Sequence, residues 1–438
     1  MSLLFNPALL PPDQITLAAS LRRPLVERLL RTLRRIGDDG APQHQLVLGA
    51  PGSGKTMLLR ALRSAIEDDP ELSARWLPVT FPEAQWDVAR PADVWDNALD
   101  YLVVALERRG QAEAAAALSA QIEALRRQDD ESGRRGLELL LETADRLGRR
   151  LVLLIDTLDV VLERLKKDQW HVREILAAEP RLLVIGASAR AIEATYRYDA
   201  AFYDFFQLHE LRPLPGSELA ALLAQLPPSP DRDALVALPA ATLAATTELV
   251  GSQPRTLMML AHSLRLDGPR PVRDLVMAVL DRLTAQLQGR MEALSPQAQQ
   301  VVHAVAAAWH PSRPSELAER AHLTPNAVSS QLHRLVQDGQ VERVPLPPAR
   351  HGFQLVDRVF QIWLLMRMGQ PHRRRLQRAA DMLEAALAGR FMPGFDPETQ
   401  AAASGEEDSL QRVAPELRRA FPARDAAVAG GAGGIARG

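Results

Sequence analysis

The stretch that most limits what this chain can fold into is GAPGSGKT, Gly49 to Thr56. It matches G-x-x-x-x-G-K-[ST] at every fixed position, and its flanks fit the motif. Gln45-Leu46-Val47-Leu48 reads as a short buried strand before it. KTMLLRALRSAI after it puts Met57, Leu58, Ala61, Leu62 and Ile66 at helical spacing. Strand, glycine turn and helix in that order let backbone N–H groups and a helix N-terminus face phosphate oxygens, and Gly49, Gly52 and Gly54 leave room for that approach. Lys55 supplies a compact charge to the β- and γ-phosphates, and the Thr56 hydroxyl is a ligand for Mg²⁺. The expected nucleotide contacts are Gly49, Ala50, Pro51, Gly52, Ser53, Gly54, Lys55, Thr56 and Met57, with ATP and Mg²⁺ as cofactors.

Lysine usage supports this. Of 52 Lys and Arg residues only Lys55, Lys166 and Lys167 are lysines, so lysine stands where arginine would not serve. A net charge of −2 gives no overall basic footprint, and any nucleic-acid contact has to come from a local patch. The absence of cysteine excludes disulfides and thiolate-bound metals and fits a reducing compartment. The N-terminal MSLLFNPALLPPDQ lacks a basic region and is broken by prolines, and no apolar run is long enough to span a bilayer. The expected location is cytoplasmic, with no membrane partner.

A second apolar run, Leu151 to Ile155, ends in Asp156, as a central parallel strand does when its C-terminal end faces the nucleotide. Asp156 is the expected second holder of Mg²⁺. Hydrolysis also needs a group that orients the attacking water, and Thr157 is no carboxylate. Asp159, just past the strand, either replaces that carboxylate or caps the following helix. The catalytic candidates are therefore Asp159, Asp156 and Lys55.

A further strand, RLLVIGASAR, sets Ser188 at its end, and ELVGSQPRTLMMLA sets Gly251, Pro254 and Arg255 at the start of an apolar helix. With these motifs in order, the chain resembles the AAA+ and STAND P-loop ATPases, within them the replication-initiator-like and archaeal-type ATPases that carry a C-terminal winged helix. The resemblance covers about Leu46 to Gly369. It implies that Ser188 is a first sensor at the γ-phosphate, that Pro254 and Arg255 form the lid motif with Arg255 reading the phosphates, and that a neighbouring subunit supplies an arginine finger. Arg190 and Arg197 are the candidates for that finger. Thr157 departs from the common pattern, and Asp-x-x-Asp resembles the acid motif of some STAND switches, which argues against fast turnover.

From Ser295 the pattern is helix, turn, second helix. Thr324 and Pro325 start that second helix, Gly339 stops it, and VERV and FQL then read as a hairpin. This is similar to a winged helix. Asn326, Ser329, Ser330, Gln331, His333 and Arg334 are the residues expected to be exposed on the second helix, with Arg350 at the hairpin tip, as candidates for contact with double-stranded DNA. Equally, the module is a regulatory or protein-binding surface. Phe353, Phe360, Trp363 and Met366 are expected to be core.

The expected fold is α/β: a P-loop parallel sheet with helices on both faces, a helical lid and a C-terminal winged-helix domain. The expected divisions are an N-terminal helical segment (1–40), the ATPase core (41–215, with a helical insert at about 106–148), the lid (216–293), the winged helix (294–370), a basic helix (371–392) and a disordered tail (393–438). The function expected is an Mg²⁺-dependent ATPase, slow or partner-stimulated, whose nucleotide state controls the winged helix, with ATP or ADP, duplex DNA, and a homo-oligomer or protein partner. The alternative is an ADP-held signalling switch with little turnover and no important DNA contact.

Overall fold

The computed structural model describes residues 20–37, 42–81, 85, 87–127, 133–189, 192, 195, 198–212, 214, 219–308, 310–346, 350–369, 372–374, 376–377 and 380. The chain divides into two compact units, one of 1–215, 221–233 and 253–261, the other of 216–220, 234–252 and 262–438.

The first unit opens with α1 (Arg23–Arg35), β1 (His44–Leu48), α2 (Lys55–Asp68), α3 (Pro70–Arg75) and β2 (Trp76–Phe81). Next come α4 (Pro91–Arg108), α5 (Ala112–Arg126), α6 (Arg134–Leu147), β3 (Arg150–Ile155), α7 (Leu158–Leu165), α8 (Gln169–Ala178), β4 (Leu182–Ser188) and β5 (Phe206–Glu210). Of the insert expected at about 106–148, residues 106–108 still belong to α4. The apolar spacing of that helix continues through Leu102 and Leu106, both fully buried.

The sheet order is β2-β3-β4-β1-β5, and every neighbouring pair is parallel. Side chains alternate between its two faces, as a two-residue period requires. Leu46, Leu151, Leu153, Ile155, Leu182 and Val184 join one core with residues of α4 to α8. Val47, Val152, Leu154, Leu183, Ile185 and Ala187 join another with residues of α1, α2 and α3. Burial on both faces is why these strands read as continuous apolar runs. Within that interior His44 accepts from the Val184 N–H at Nδ1 (2.9 Å), and its Nε2 meets the Leu176 carbonyl oxygen at 3.1 Å. The ring stacks on Phe205, and burial holds it down at about 4, neutral at ordinary pH.

Beyond the sheet lie α9 (Leu219–Gln225), α10 (Pro230–Val236), α11 (Ala240–Val250), α12 (Pro254–Asp267) and α13 (Val272–Glu292). The second unit continues with α14 (Pro296–Ala308), α15 (Pro314–Ala321), α16 (Pro325–Gln337), β6 (Val341–Leu346), β7 (Arg350–Leu355) and α17 (Arg358–Arg367). Thr324 caps α16 by accepting from the Ala327 N–H (3.3 Å), with Pro325 in the first turn. β6 and β7 form an antiparallel ribbon, joined at Phe353 by a bridge from Ser312. Phe353, Phe360, Trp363 and Met366 are buried. Arg290 of α13 donates to Asp357 (2.9 Å) and Gln340 (2.7 Å) and lies over the Phe360 ring, tying α13 to the start of α17. Among the described residues no helix is long and apolar enough to cross a membrane.

Candidate functional site

The turn between β1 and α2 can be built only from glycine at its tight points. Gly52 and Gly54 have φ of 87° and 95°, in the left-handed region. A Cβ on Gly49 would lie 2.5 Å from Ser53 Oγ and 2.9 Å from Leu211 Cβ. Lys55, the first residue of α2, donates from Nζ to the carbonyl oxygens of Gly49 (2.7 Å) and Ala50 (3.2 Å), so its ammonium is folded over the turn.

The acid strand meets this turn. Thr56 Oγ1 donates to Asp156 Oδ2 at 2.5 Å, and the Thr157 N–H donates to Asp156 Oδ1 at 3.0 Å. Burial pushes the Asp156 carboxyl above its ordinary range, opposed by the Thr56 hydroxyl, the Lys55 charge and the Thr157 N–H; Asp159 acts in the same direction as burial. A hydroxyl and a carboxylate oxygen side by side beyond a glycine cradle fit Mg²⁺, which takes one or two protein oxygens and fills its shell with water and phosphate. Thr56 and Asp156 are the residues that would hold it.

Thr157 has φ 52° and ψ 44°, a left-handed conformation that a β-branched residue adopts at a cost of about 1–3 kcal/mol. It carries the chain straight from β3 into α7. Asp159 is thereby in the first turn of α7, 5% exposed, rather than on an open loop. Leu158 fills the space beside Gly186, where a Cβ would meet its side chain at 2.3 Å, so the acid turn and strand β4 are in close contact.

Ser188 ends β4, fully buried, opposite Leu48, and its carbonyl oxygen accepts from the Gly49 N–H (3.1 Å). At the start of α12 the Arg255 N–H donates to the Gly52 carbonyl oxygen (3.2 Å). A Cβ on Gly54 would lie 3.4 Å from Pro254 Cγ. The structure thus brings together Gly49 to Met57, Asp156, Asp159, Ser188, Pro254 and Arg255 within the first unit. Arg190 and Arg197 lie outside the described residues.

One residue of this site was not foreseen. Arg22, just before α1, donates from Nε to the Ser53 carbonyl oxygen (3.0 Å) and from Nη1 to that of Arg212 (2.9 Å). It is 7% exposed, and burial lowers its guanidinium to about 10. Its only sequence signal is an arginine ahead of a proline-started amphipathic helix, with no spacing that relates it to the distant glycine turn.

On α16, in the second unit, Asn326, Ser329, Ser330, His333 and Arg334 are exposed. Gln331 is not: it is 8% exposed and donates to Gln297 Oε1 of α14 (3.3 Å), which corrects its expected exposure. It lies one turn from both Val328 and Leu335 and so falls on their buried face. The Arg350 backbone begins β7, and its side chain lies outside the described residues.

Residues 21–185 match the family described as the AAA ATPase domain. No curated protein matches the chain. Among solved structures, a Walker-type ATPase of Pyrococcus abyssi is similar at 14% identity and a TM-score of 0.58, covering 78% of this chain and 95% of its own. The Orc1 protein of Aeropyrum pernix, solved in complex with DNA, matches at 16% identity and a TM-score of 0.42, covering 81% of this chain and 94% of its own. Residues 21–185 thus match the AAA ATPase domain, and they include the strands β1 and β3 and the phosphate loop that the motifs require.

Proposed function

We propose that the chain is a slow, Mg²⁺-dependent ATPase whose nucleotide state is passed to a C-terminal winged-helix module that contacts duplex DNA. The observation that carries the reading is the hydrogen bond from the Arg255 N–H to the Gly52 carbonyl oxygen. It ties the first turn of α12 to the residue that must wrap the phosphates. The chain passes into the second unit within that same helix, at His262.

In this reading Gly49 to Met57 grip the phosphates, and Lys55 exchanges its two carbonyl partners for β- and γ-phosphate oxygens. Thr56 and Asp156 would hold Mg²⁺, which would supply positive charge to those oxygens. Asp159 orients the attacking water, Ser188 touches the γ-phosphate, and Arg255 reads the phosphates as α12 shifts. A neighbouring copy completes the site with an arginine, Arg190 and Arg197 being the candidates. The left-handed Thr157 in place of a carboxylate supports a low rate. It also favours a second reading, an ADP-held switch in which ATP exchange drives protein assembly and the winged helix makes no important DNA contact.

The test is steady-state ATP hydrolysis by the full chain across protein concentrations, with and without duplex DNA, using Lys55→Ala as the blank. Turnover that rises with duplex or concentration, and falls about 100-fold in Asp159→Asn, is the expected result. Near-normal turnover in Asp159→Asn removes Asp159 from the mechanism. Bound nucleotide with no turnover above the blank supports the switch instead.

A further inference from the structure

Away from the phosphate loop, the first unit gathers arginines that its own carboxylates do not balance. Arg60, Arg63 and Glu67 occupy one face of α2 at i, i+3 and i+7, and the end of α4 brings Arg108 and Arg109 to it. Arg108 donates from Nε (3.1 Å) and Nη2 (2.7 Å) to Glu67 Oε1. Arg63 Nε stands 3.8 Å from Glu67 Oε2, beyond hydrogen-bond reach. Among the described residues Glu67 is the only carboxylate that forms an ion pair with any of the four arginines.

Arg108 spends two donors on Glu67 and Arg109 Nη2 reaches the Ser73 carbonyl oxygen (3.5 Å), but other donors of the group find no acceptor. Arg60 Nη1, Arg63 Nε and Arg109 Nη1 are buried without a hydrogen-bond acceptor. Burial lowers the Arg63 guanidinium from its ordinary value, and Arg108 and Arg60 push it the same way against Glu67. Arg109 is lowered by burial and then by Arg149, opposed by Glu67, with Arg108 adding to the fall. Guanidinium groups do not shed their protons to escape such crowding. Gathered from two helices around one carboxylate, they leave an excess of positive charge, and such planar forks suit an oxyanion with acceptors in several directions.

We propose that Arg60, Arg63, Arg108 and Arg109 form a second phosphate-binding site, for a phosphate group carried by a free anion or by a nucleic-acid backbone. Arg63 lies about 12 Å along the helix axis from Lys55, so one phosphate cannot serve both. The proposal stands whether or not the chain hydrolyses ATP.

The test uses the full chain carrying Lys55→Ala, which silences the phosphate loop. Thermal unfolding midpoints are compared in chloride, in inorganic phosphate and with a short mixed-sequence duplex, at matched ionic strength. Phosphate, the duplex or both should raise the midpoint by several degrees over chloride. Arg63→Gln or Arg109→Gln should abolish the rise while leaving the chloride midpoint at or above that of the parent, because each relieves repulsion. A generic salting effect of phosphate would persist in both variants. If Arg63→Gln fails to fold, Arg60→Gln takes its place. A rise with phosphate that either substitution removes identifies the free anion, and the part of a duplex rise that either substitution removes identifies the backbone, the remainder belonging to α16. Equal midpoints in chloride and phosphate with no duplex rise that either substitution lowers, or a phosphate rise that survives both, overturns the proposal.

Discussion

The phosphate loop and the exposed face of α16 hold their chemistry in opposite ways. In the loop, function rests on backbone shape: two left-handed glycines, a third with no room for a Cβ, and carboxylates buried beside a hydroxyl. On α16, Asn326, Ser329, Ser330, His333 and Arg334 project from a helix whose opposite side, with Val328, Leu332 and Leu335, supplies the core. The first kind of site admits few residue types at each position. The second leaves its residue types free once the buried face is in place, so any partner that binds there would be set by only a few side chains.

Substitutions can break this contrast. Lys55→Ala should lower ATP turnover about 100-fold or more and leave the unfolding midpoint nearly unchanged, since the ammonium folds over the turn onto its carbonyl oxygens rather than into the core. A large fall in stability would show that the loop needs the lysine for its shape. Arg290→Ala, which removes one partner of the half-buried Asp357, should cost about 1–3 kcal/mol in urea unfolding of the second unit. An unshifted transition would mean that the pair is not sealed from water.

His44 tests the scaffold under the loop. The unfolded chain takes up a proton near 6.5, but the buried ring does so only at about 4. The unfolded state therefore binds more protons in that window, and stability, complete above 6.5, falls as pH drops through it by up to about 3 kcal/mol. Urea midpoints from pH 7.5 to 4.5 should show the fall, and His44→Gln should flatten it; an unaltered profile would assign the acid sensitivity elsewhere. The smallest effect is on α16: Arg334→Ala should weaken duplex binding a few-fold and reduce the salt slope by about 0.9. Gln331→Ala should leave that slope alone, because its side chain faces α14.

Much of the fold was legible in the sequence, for identifiable reasons. β1, β3 and β4 are buried on both faces and announce themselves as apolar runs; α2 and α16 carry their start signals and periodicity within themselves. The candidate site was legible where a backbone requirement leaves a local trace, as at Gly49, Gly52 and Gly54. It was not legible where the contact joins distant segments. Arg22 reaches Ser53 and Arg212 only after the sheet has formed, and the Arg255 N–H finds Gly52 by tertiary placement. Gln331 was misread because a polar side chain was taken as exposed against its helical phase. The first-turn placement of Asp159 was not legible either, because Thr157 takes a conformation that its residue type disfavours.

The strand order also bears on how the protein is made. Leu48 is paired on one side with Ser188 and on the other with Glu210. During translation, β1 therefore emerges with neither neighbour yet synthesised, and both its edges stay unpaired until β4 and β5 have followed. Parallel pairings across such sequence separations form late and leave apolar strands open to aggregation. Nucleotide can select the finished domain but cannot nucleate it, so the nascent chain would depend on chaperones over just the interval in which its ligand offers no help.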